Sequence, residues 1–476
     1  MSKIKLFVEN FLVYGIGGII SKIIPFVMVP VVTRLVPSPE YFGLSDLSGT
    51  ITSFCCALSI FGMYDAMFRM FFEKEEREYK KNVCSTTLLF CLTLSFCVFI
   101  LMILLRRSIA QFFFRNQEYA YLIYITATAT LVGATNGIIS APTRMQNKRK
   151  IFLVTNALSP IISYTISIPL LLRGHYLIAL LLGGMISSIT METIFWILNR
   201  SWFDFRKFDV KLLKQMLLIA VPLVPNFIIY WIFNSSDRVM IANLLDVTQV
   251  GIYSVGSKLG HASQLIYTAF AGGWQYFAFS TMNEGDQVKT NSLVFEYLGI
   301  ISFICTMFIC IISRPLYAFL FPPEYMAGYI ISPYLFLAPL LQMLFQVAAN
   351  QFLVVKNTWP NMLILFSGAA LNVLLNLLLI PAIGIEGAAL ATLAGYFISD
   401  VICMFVLCKM RLMMVSARFC AAVLLTSVFM LMWRFSLSER LMLSLALFIC
   451  GCVCFGLLYM KDIRTVLQKK RIKNGK

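Results

Sequence analysis

Charge is scarce in this chain. Asp, Glu, Lys and Arg supply 13% of its 476 residues, against roughly 25% in a soluble domain. With 59% hydrophobic residues and a mean hydropathy of +0.82, that scarcity excludes a soluble globular protein and makes the chain a polytopic membrane protein. Histidine is nearly absent. His175 falls in a short connection and His261 in an apolar run, so a histidine metal cluster or a nucleophilic triad at recognisable spacing is lacking. No P-loop occurs, which argues against direct ATP hydrolysis. The outer connections are too short to hold a catalytic domain. No enzyme activity, metal or cofactor is therefore expected. Met1-Ser2-Lys3-Ile4-Lys5 opens an apolar stretch too long for a signal-peptide core, with no small-residue cleavage site after it. It is expected to be a retained first span.

Cysteine, by contrast, is plentiful: there are 13, most of them inside apolar runs. In that setting a cysteine behaves as a small buried hydrophobe. Cys450, Cys452 and Cys454 have no partner histidine, and alternate helical residues do not share a face, so neither zinc nor a disulfide framework is expected. The net charge of +17 could suggest nucleic acid. The basic residues, however, sit between hydrophobic stretches, where they orient helices in a bilayer, and no nucleic-acid partner is expected.

A helix crosses the hydrocarbon core with about 20 apolar residues, and on that measure the chain holds about fourteen spans. They lie near 11–33, 43–64, 82–105, 118–140, 152–172, 177–198, 213–234, 249–271, 293–320, 330–354, 362–383, 387–409, 415–434 and 440–460. A cytoplasmic N-terminus places about three times as many lysines and arginines inside as outside, as the positive-inside rule demands. Both termini are then cytoplasmic. Asp65–Lys81 reads as an amphipathic segment at the interface, and the basic tail Lys461–Lys476 as an anionic-lipid contact or a charge anchor.

Two stretches share one grammar. In Val221–Lys258 an apolar helix broken by Pro222 and Pro225 ends in Ser235-Ser236-Asp237-Arg238, and a second helix opens near Val250-Gly251-Ile252-Tyr253 and carries the lone cation Lys258. Near the N-terminus an apolar helix holds Lys22, Pro25 and Pro30, then come Arg34 and Pro39-Glu40-Tyr41-Phe42-Gly43. A second echo runs from Asn147-Lys148 to Ile168-Pro169, and from Lys356-Asn357 to Ile380-Pro381. Broken hydrophobic pairs in corresponding halves point to a transporter's binding site. The expected fold is all-α, with two pseudo-symmetric six-helix lobes, 1–208 and 209–410, and an extra helix pair with its tail in 411–476.

A lysine at bilayer centre costs about 2.5–3.5 kcal/mol on insertion scales and normally faces a cavity or a partner. Lys22 and Lys258 either line such a cavity, where a phosphate suits a point charge, or snorkel to an interface. Arg34 and Arg69 lie at span ends, as interfacial anchors or a gate, and Asp237 and Arg238 form a local ion pair or a helix end, or stand at the cavity mouth in contact with substrate. Asp46, Glu192, Glu296 and Asp400 are candidates to carry a coupling H+ or Na+, or are interfacial. Asn226, Asn350, Asn372 and Asn376 hydrogen-bond sugars or knit helices together. Pro25, Pro30, Pro222 and Pro225 permit bending.

Lys22–Gly43, Arg69–Lys81, Ser236–Tyr253 and Gly384–Gly395 resemble, in order and across residues 5–410, the bacterial polysaccharide flippases. These are Wzx-type members of the multidrug/oligosaccharidyl-lipid/polysaccharide exporter superfamily. The resemblance implies a two-lobed alternating-access transporter in the bacterial cytoplasmic membrane, with a central cavity. Its implied cargo is a polyprenyl-diphosphate-linked oligosaccharide, moved from the cytoplasmic to the outer leaflet for cell-surface polysaccharide synthesis. It also implies cavity cations on the first, second and eighth spans, a pattern that Lys22 and Lys258 match and Arg69, at a span end, does not. The drug-exporting branch often uses an acid on the first span, and none is present. A cation-coupled drug exporter and a membrane glycosyltransferase or polymerase are the rival readings. The latter predicts a carboxylate constellation and longer loops.

Overall fold

The computed structural model describes residues 22–268, 270, 274, 278, 285–357, 359–462 and 464. Helices α1 (22–35) and α2 (Pro39–Ile60) open the chain. Ser38 caps α2, its hydroxyl accepting the Glu40 N–H at 3.3 Å, and Pro39 sits at the first helical position, where a missing N–H costs nothing. Phe61 and Gly62 then take left-handed backbone, φ 51° and 72°, and the chain bends by 46° into α3 (Met63–Phe71). Helix α3 buries Met63, Ala66, Met67, Met70 and Phe71 in a core shared with Val83, Cys84, Leu88 and Met216. The stretch 65–81, read from sequence as one interfacial segment, is thus the packed end of α3, a turn and the first residues of α4 (Arg77–Leu104). Apolar side chains at i, i+3, i+4 and i+7 of α3 found protein rather than lipid to cover them.

Next come α5 (Arg106–Phe113), α6 (Leu122–Ile139), α7 (Ala141–Met145), α8 (Arg149–Leu172) and α9 (Tyr176–Asn199). The following span is broken twice, into α10 (Val210–Ala220), a 3₁₀ turn at Val221–Leu223, α11 (Val224–Trp231), a π turn at Ile232–Ser236 and α12 (Asp237–Leu244). Pro222 lies in the 3₁₀ turn and Pro225 at the start of α11. Neither donates an N–H, so the i→i−4 ladder cannot run through them. The chain continues with α13 (Val247–Gly260), α14 (264–268), α15 (Gln287–Leu320), α16 (Gly328–Val354), α17 (Trp359–Ile383), α18 (Ile385–Lys409), α19 (Ala417–Met432) and α20 (Leu441–Leu458). Among the described residues, 11 helical stretches are long and apolar enough to cross a membrane, or 12 if α2 and α3 form one span. The spans expected at 11–33 and 249–271 run partly outside the described residues.

The second sequence echo is also an echo of backbone. Asn147 and Lys356 both take φ near the left-handed region, 54° and 56°. Each closes the same helix stop: Asn147 N–H donates to Arg144 O and Lys148 N–H to Thr143 O, while Lys356 N–H donates to Leu353 O and Asn357 N–H to Phe352 O. This double bond satisfies two orphan carbonyls at a helix end. Gly174 and Gly384 (φ 85° and 66°) then make the short links from α8 to α9 and from α17 to α18.

The described residues divide into two compact units. One comprises those of Met1–Lys258 with Phe321–Tyr325 and Ala369–Thr392; the other those of Leu259–Leu320, Met326–Gly368 and Leu393–Lys476. In the second unit the last two helices dock on α15. Arg418 at the start of α19 pairs with Glu296 and with Asp462, each at 2.7 Å, and lies over the Tyr459 ring at 4.5 Å. The Tyr459 hydroxyl in turn donates to Glu296 at 2.6 Å.

Candidate functional site

In the first unit α2 and α13 cross at two glycines. A Cβ on Gly43 would lie 2.2 Å from the Val247 carbonyl oxygen, and a Cβ on Gly251 would lie 1.9 Å from that of Pro39. The two contacts are reciprocal: each glycine meets the carbonyl four residues ahead of the other. Gly251→Ala therefore forces backbone apart, and the expected loss is about 1–3 kcal/mol or more. Gly49→Ala, whose Cβ meets nothing within 4 Å, is the matched control. Thermal unfolding in detergent should separate the two, and equal midpoints would contradict the tight crossing.

One turn beyond the glycines, Asp46 and Ser254 meet: the Ser254 hydroxyl donates to Asp46 Oδ2 at 2.7 Å. Arg238, at the start of α12, donates through Nε to the same carboxylate, with side-chain exposures of 13% and 15% for the pair. Its remaining nitrogens donate to the Asn234 carbonyl at 2.5 Å and to Ser257 Oγ at 3.2 Å. Each of the three guanidinium nitrogens thus has an acceptor, one of them the Asp46 carboxylate, as such a shielded charge requires. Lys258, one turn after Ser254, is exposed, and its ammonium sits 4.6 Å from the centroid of the Phe42 ring. It interacts electrostatically with both Asp46 and Arg238.

Asp237, the neighbour of Arg238, faces a different set. It is 3% exposed and accepts hydrogen bonds from the Tyr253 hydroxyl at 2.5 Å, the Thr392 hydroxyl at 2.6 Å and the Asn376 amide at 2.8 Å. Asn372 completes the group, its amide donating to Thr392 Oγ1 at 3.1 Å and its carbonyl oxygen lying 3.3 Å from the Asn376 amide. The Asn376 Oδ1 is buried and accepts no hydrogen bond among the described residues. Of the two local readings of Asp237 and Arg238, an ion pair or a helix end, the second fits: both open α12, and their side chains turn to different partners. Successive helical residues diverge by about 100°, and Arg238 turns to Asp46 while Asp237 turns to α13, α17 and α18. The π turn at Ile232–Ser236 directly precedes both residues, a helical irregularity frequent at functional sites.

The Asp237 group is a set of hard oxygen donors with one acceptor left over, which suits a small hard cation. Among the described residues no cluster of three or more His, Cys, Asp or Glu exists, so a site for a tightly held transition metal is absent there.

Sequence comparison places these elements. A profile described as polysaccharide biosynthesis protein matches residues 7–282. The chain belongs to that family. Its match to an uncharacterized membrane protein of Methanocaldococcus jannaschii is 37% identical over 97 residues, covering 20% of this chain and 19% of the relative's length. Among solved structures, the lipid II flippase MurJ in an inward closed conformation superposes with a TM-score of 0.72 at 15% identity, covering 95% of this chain and 100% of that one. An inward-facing multidrug resistance transporter of the MATE family of the MOP superfamily gives 0.66 at 13% identity, covering 81% and 94%. The fold is that of these membrane transporters.

Within this family member the other residues singled out from sequence stand apart from this group. Lys22 and Arg34 are exposed on α1, and Arg69 is exposed on α3. Glu192 accepts the Thr135 hydroxyl at 2.5 Å, and Glu296 belongs to the Arg418 network described above. Asp400 is 7% exposed, and neither carboxyl oxygen has a hydrogen-bond partner among the described residues. Pro25 and Pro30 lie inside α1 without breaking it. Sequence reasoning does not single out Tyr253 or Thr392, and it leaves Asn372 and Asn376 between bonding sugars and knitting helices. The available signal was the Asn372/Asn376 pair itself, two amides four apart on one face of an apolar helix.

Proposed function

We propose that this protein is a flippase for polyprenyl-diphosphate-linked oligosaccharides, moving them from the cytoplasmic to the outer leaflet of a bacterial cytoplasmic membrane. Both termini face the cytoplasm in this reading. The single observation that carries it is the exposed Lys258 beside a satisfied ion pair, in a chain of a polysaccharide biosynthesis family. Asp46 is engaged by Arg238 and Ser254, and the Lys258 ammonium rests on an aromatic face rather than on a carboxylate. Such a cation can take an incoming phosphate without breaking a pair. Lys22, also exposed within an apolar helix, supplies a second charge for the diphosphate. Alternating access moves the cargo, with 1–208 and 209–410 as the rocking lobes.

The coupling ion in this reading binds at Asp237. Broken helices that bring a carboxylate and uncharged oxygens together hold Na+ or H+ in other transporters, and the unsatisfied Asn376 Oδ1 supports a cation over a proton. MATE-like architecture supports the rival, a cation-coupled drug exporter.

Leaflet transfer of a labelled polyprenyl-diphosphate oligosaccharide in proteoliposomes tests the reading. Wild type should transfer it, and Lys258→Ala or Lys22→Ala should slow transfer about tenfold, the loss of one charge-assisted contact of about 1.4 kcal/mol or more. No transfer of any lipid-linked sugar, alongside ion-driven movement of cationic dyes, would replace the flippase with the drug exporter. Unimpaired transfer by both variants would keep the function and discard the lysines.

A further inference from the structure

A hollow of about 370 Å³ lies in the first unit, between α1, α8 and α9. It falls within the ~300–1,000 Å³ range of small-molecule pockets. Its lining is unusual for a membrane protein: Asn156, Ser159, Ser163, Tyr164, Ser187 and Ser188, with Pro25, Pro160 and Gly184 completing it. Among the described residues no charged side chain lines it.

Small polar residues also serve to pack membrane helices closely, and part of this face does so. Ser187 donates to the Ser159 carbonyl at 2.7 Å, Ser167 to the Ala179 carbonyl at 3.1 Å, and a Cβ on Gly183 would lie 2.0 Å from Ser167 Oγ. The rest of the lining does something else. Asn156, Ser163, Tyr164 and Ser188 make no side-chain hydrogen bond among the described residues. Exposed hydroxyls on the same two helices behave differently: Thr165, Thr190 and Thr193 each donate to the carbonyl four residues back at 2.8 Å, the usual retreat of a hydroxyl with no other partner. Ser163 and Ser188 keep their hydroxyls available.

Gly184 points the same way. A glycine inside a helix is less favourable than alanine by about 1 kcal/mol, and normally a close neighbour explains it. Here a Cβ would meet nothing within 4 Å. The glycine therefore keeps the hollow open rather than letting helices touch.

We infer that this hollow is a subsite for an uncharged pyranose ring of the lipid-linked glycan. The inference rests on the flippase reading and adds the substrate class. Amide and hydroxyl groups both donate and accept, as a sugar's hydroxyls require, and Tyr164 offers an aromatic ring to the sugar's C–H face. The described lining holds no cation, which selects against uronic or other acidic sugars, whose carboxylate would lie desolvated and unpaired. Lys22 lies one turn ahead of Pro25 on α1, so a phosphate cation and the hollow follow one another along the same helix.

The test uses the full chain in nanodiscs and three probes: a short-chain polyprenyl diphosphate bearing N-acetylglucosamine, the same lipid bearing glucuronic acid, and the bare lipid diphosphate. Gly184→Leu fills the hollow. It should weaken binding of the N-acetylglucosamine lipid about tenfold and leave the bare lipid within about twofold, tenfold being 1.4 kcal/mol. Asn156→Leu, which removes hydrogen bonding without much change of bulk, should act in the same direction and covers a Gly184→Leu protein that fails to fold. Lys22→Ala should weaken all three probes alike. Variants that leave the N-acetylglucosamine lipid within about twofold of wild type would overturn the subsite while the flippase reading stands. Equal affinity for the glucuronic acid lipid would overturn the neutral-sugar class. A wild type that binds none of the probes would overturn both the subsite and the flippase.

Discussion

Arg238→Met should lower stability by about 3–5 kcal/mol, the cost of leaving a shielded carboxylate without its cation. Asp46→Leu should cost a similar amount, because the guanidinium then retains only the Asn234 carbonyl and the Ser257 hydroxyl. The double variant Asp46→Leu/Arg238→Met should recover most of the loss. The attraction within such a pair largely offsets the desolvation of its two members, so a pair of apolar side chains of similar bulk is close to neutral. Thermal unfolding of the four proteins in one detergent forms the cycle. Losses that simply add in the double variant would mean that the two residues do not act as a pair. The double variant also isolates function. If it folds and still transfers lipid-linked glycan, the pair is a joint between α2 and α12, and the charge that matters for cargo is Lys258.

Asp237→Asn should do the opposite, sparing the fold more than the transport. The substituted amide still meets Tyr253, Thr392 and Asn376, so hydrogen bonding survives in altered polarity. The charge does not survive. A cation held by this group loses its one anionic ligand, and binding should weaken by about 10–100-fold or more, beyond what loss of an outer partner causes. The expected result is glycolipid transfer that no longer responds to an imposed Na+ gradient, in a protein whose unfolding midpoint stays near that of wild type. Asn376→Leu, which removes the unsatisfied Oδ1, should reproduce the loss in part. Transfer by Asp237→Asn that still follows the gradient would remove the ion from this site. Dependence on a pH gradient alone would assign a proton instead.

What could be read from sequence divides along a physical line. Features written into the local chain were legible in part: Pro222 and Pro225, three apart and each lacking an N–H, forecast the broken span, whereas Pro25 and Pro30 sit inside an unbroken α1. The stops at Asn147 and Lys356 echoed in backbone angle as they did in residue order. The hydrophobic spans followed from length, because the bilayer fixes how much chain must be apolar. Partnerships were not legible. A span apolar on every side carries no stripe to show which face meets a neighbour, so nothing in the sequence turned Asp46 toward Arg238 or Asp237 toward Thr392. Asp65–Lys81 was legible only in part. The amphipathic stripe of α3 was visible, but whether lipid or protein would cover it depended on α10, far along the chain. The hollow at Asn156–Ser188 was hidden in plain composition, since serines that pack and serines that stay available look alike until their hydrogen bonds are known.

At the crossing of α2 and α13 each helix offers the other the same surface: a carbonyl, then a glycine four residues later. Surfaces so related are self-complementary, the property that lets two identical subunits assemble about a twofold axis. A polypeptide of half this length, bearing one copy of that surface, would dock on a second copy of itself through the same pair of contacts. Having both copies on one chain removes the association step. The joint then holds equally at one molecule per cell or ten thousand, where a dimer's stability would follow its concentration.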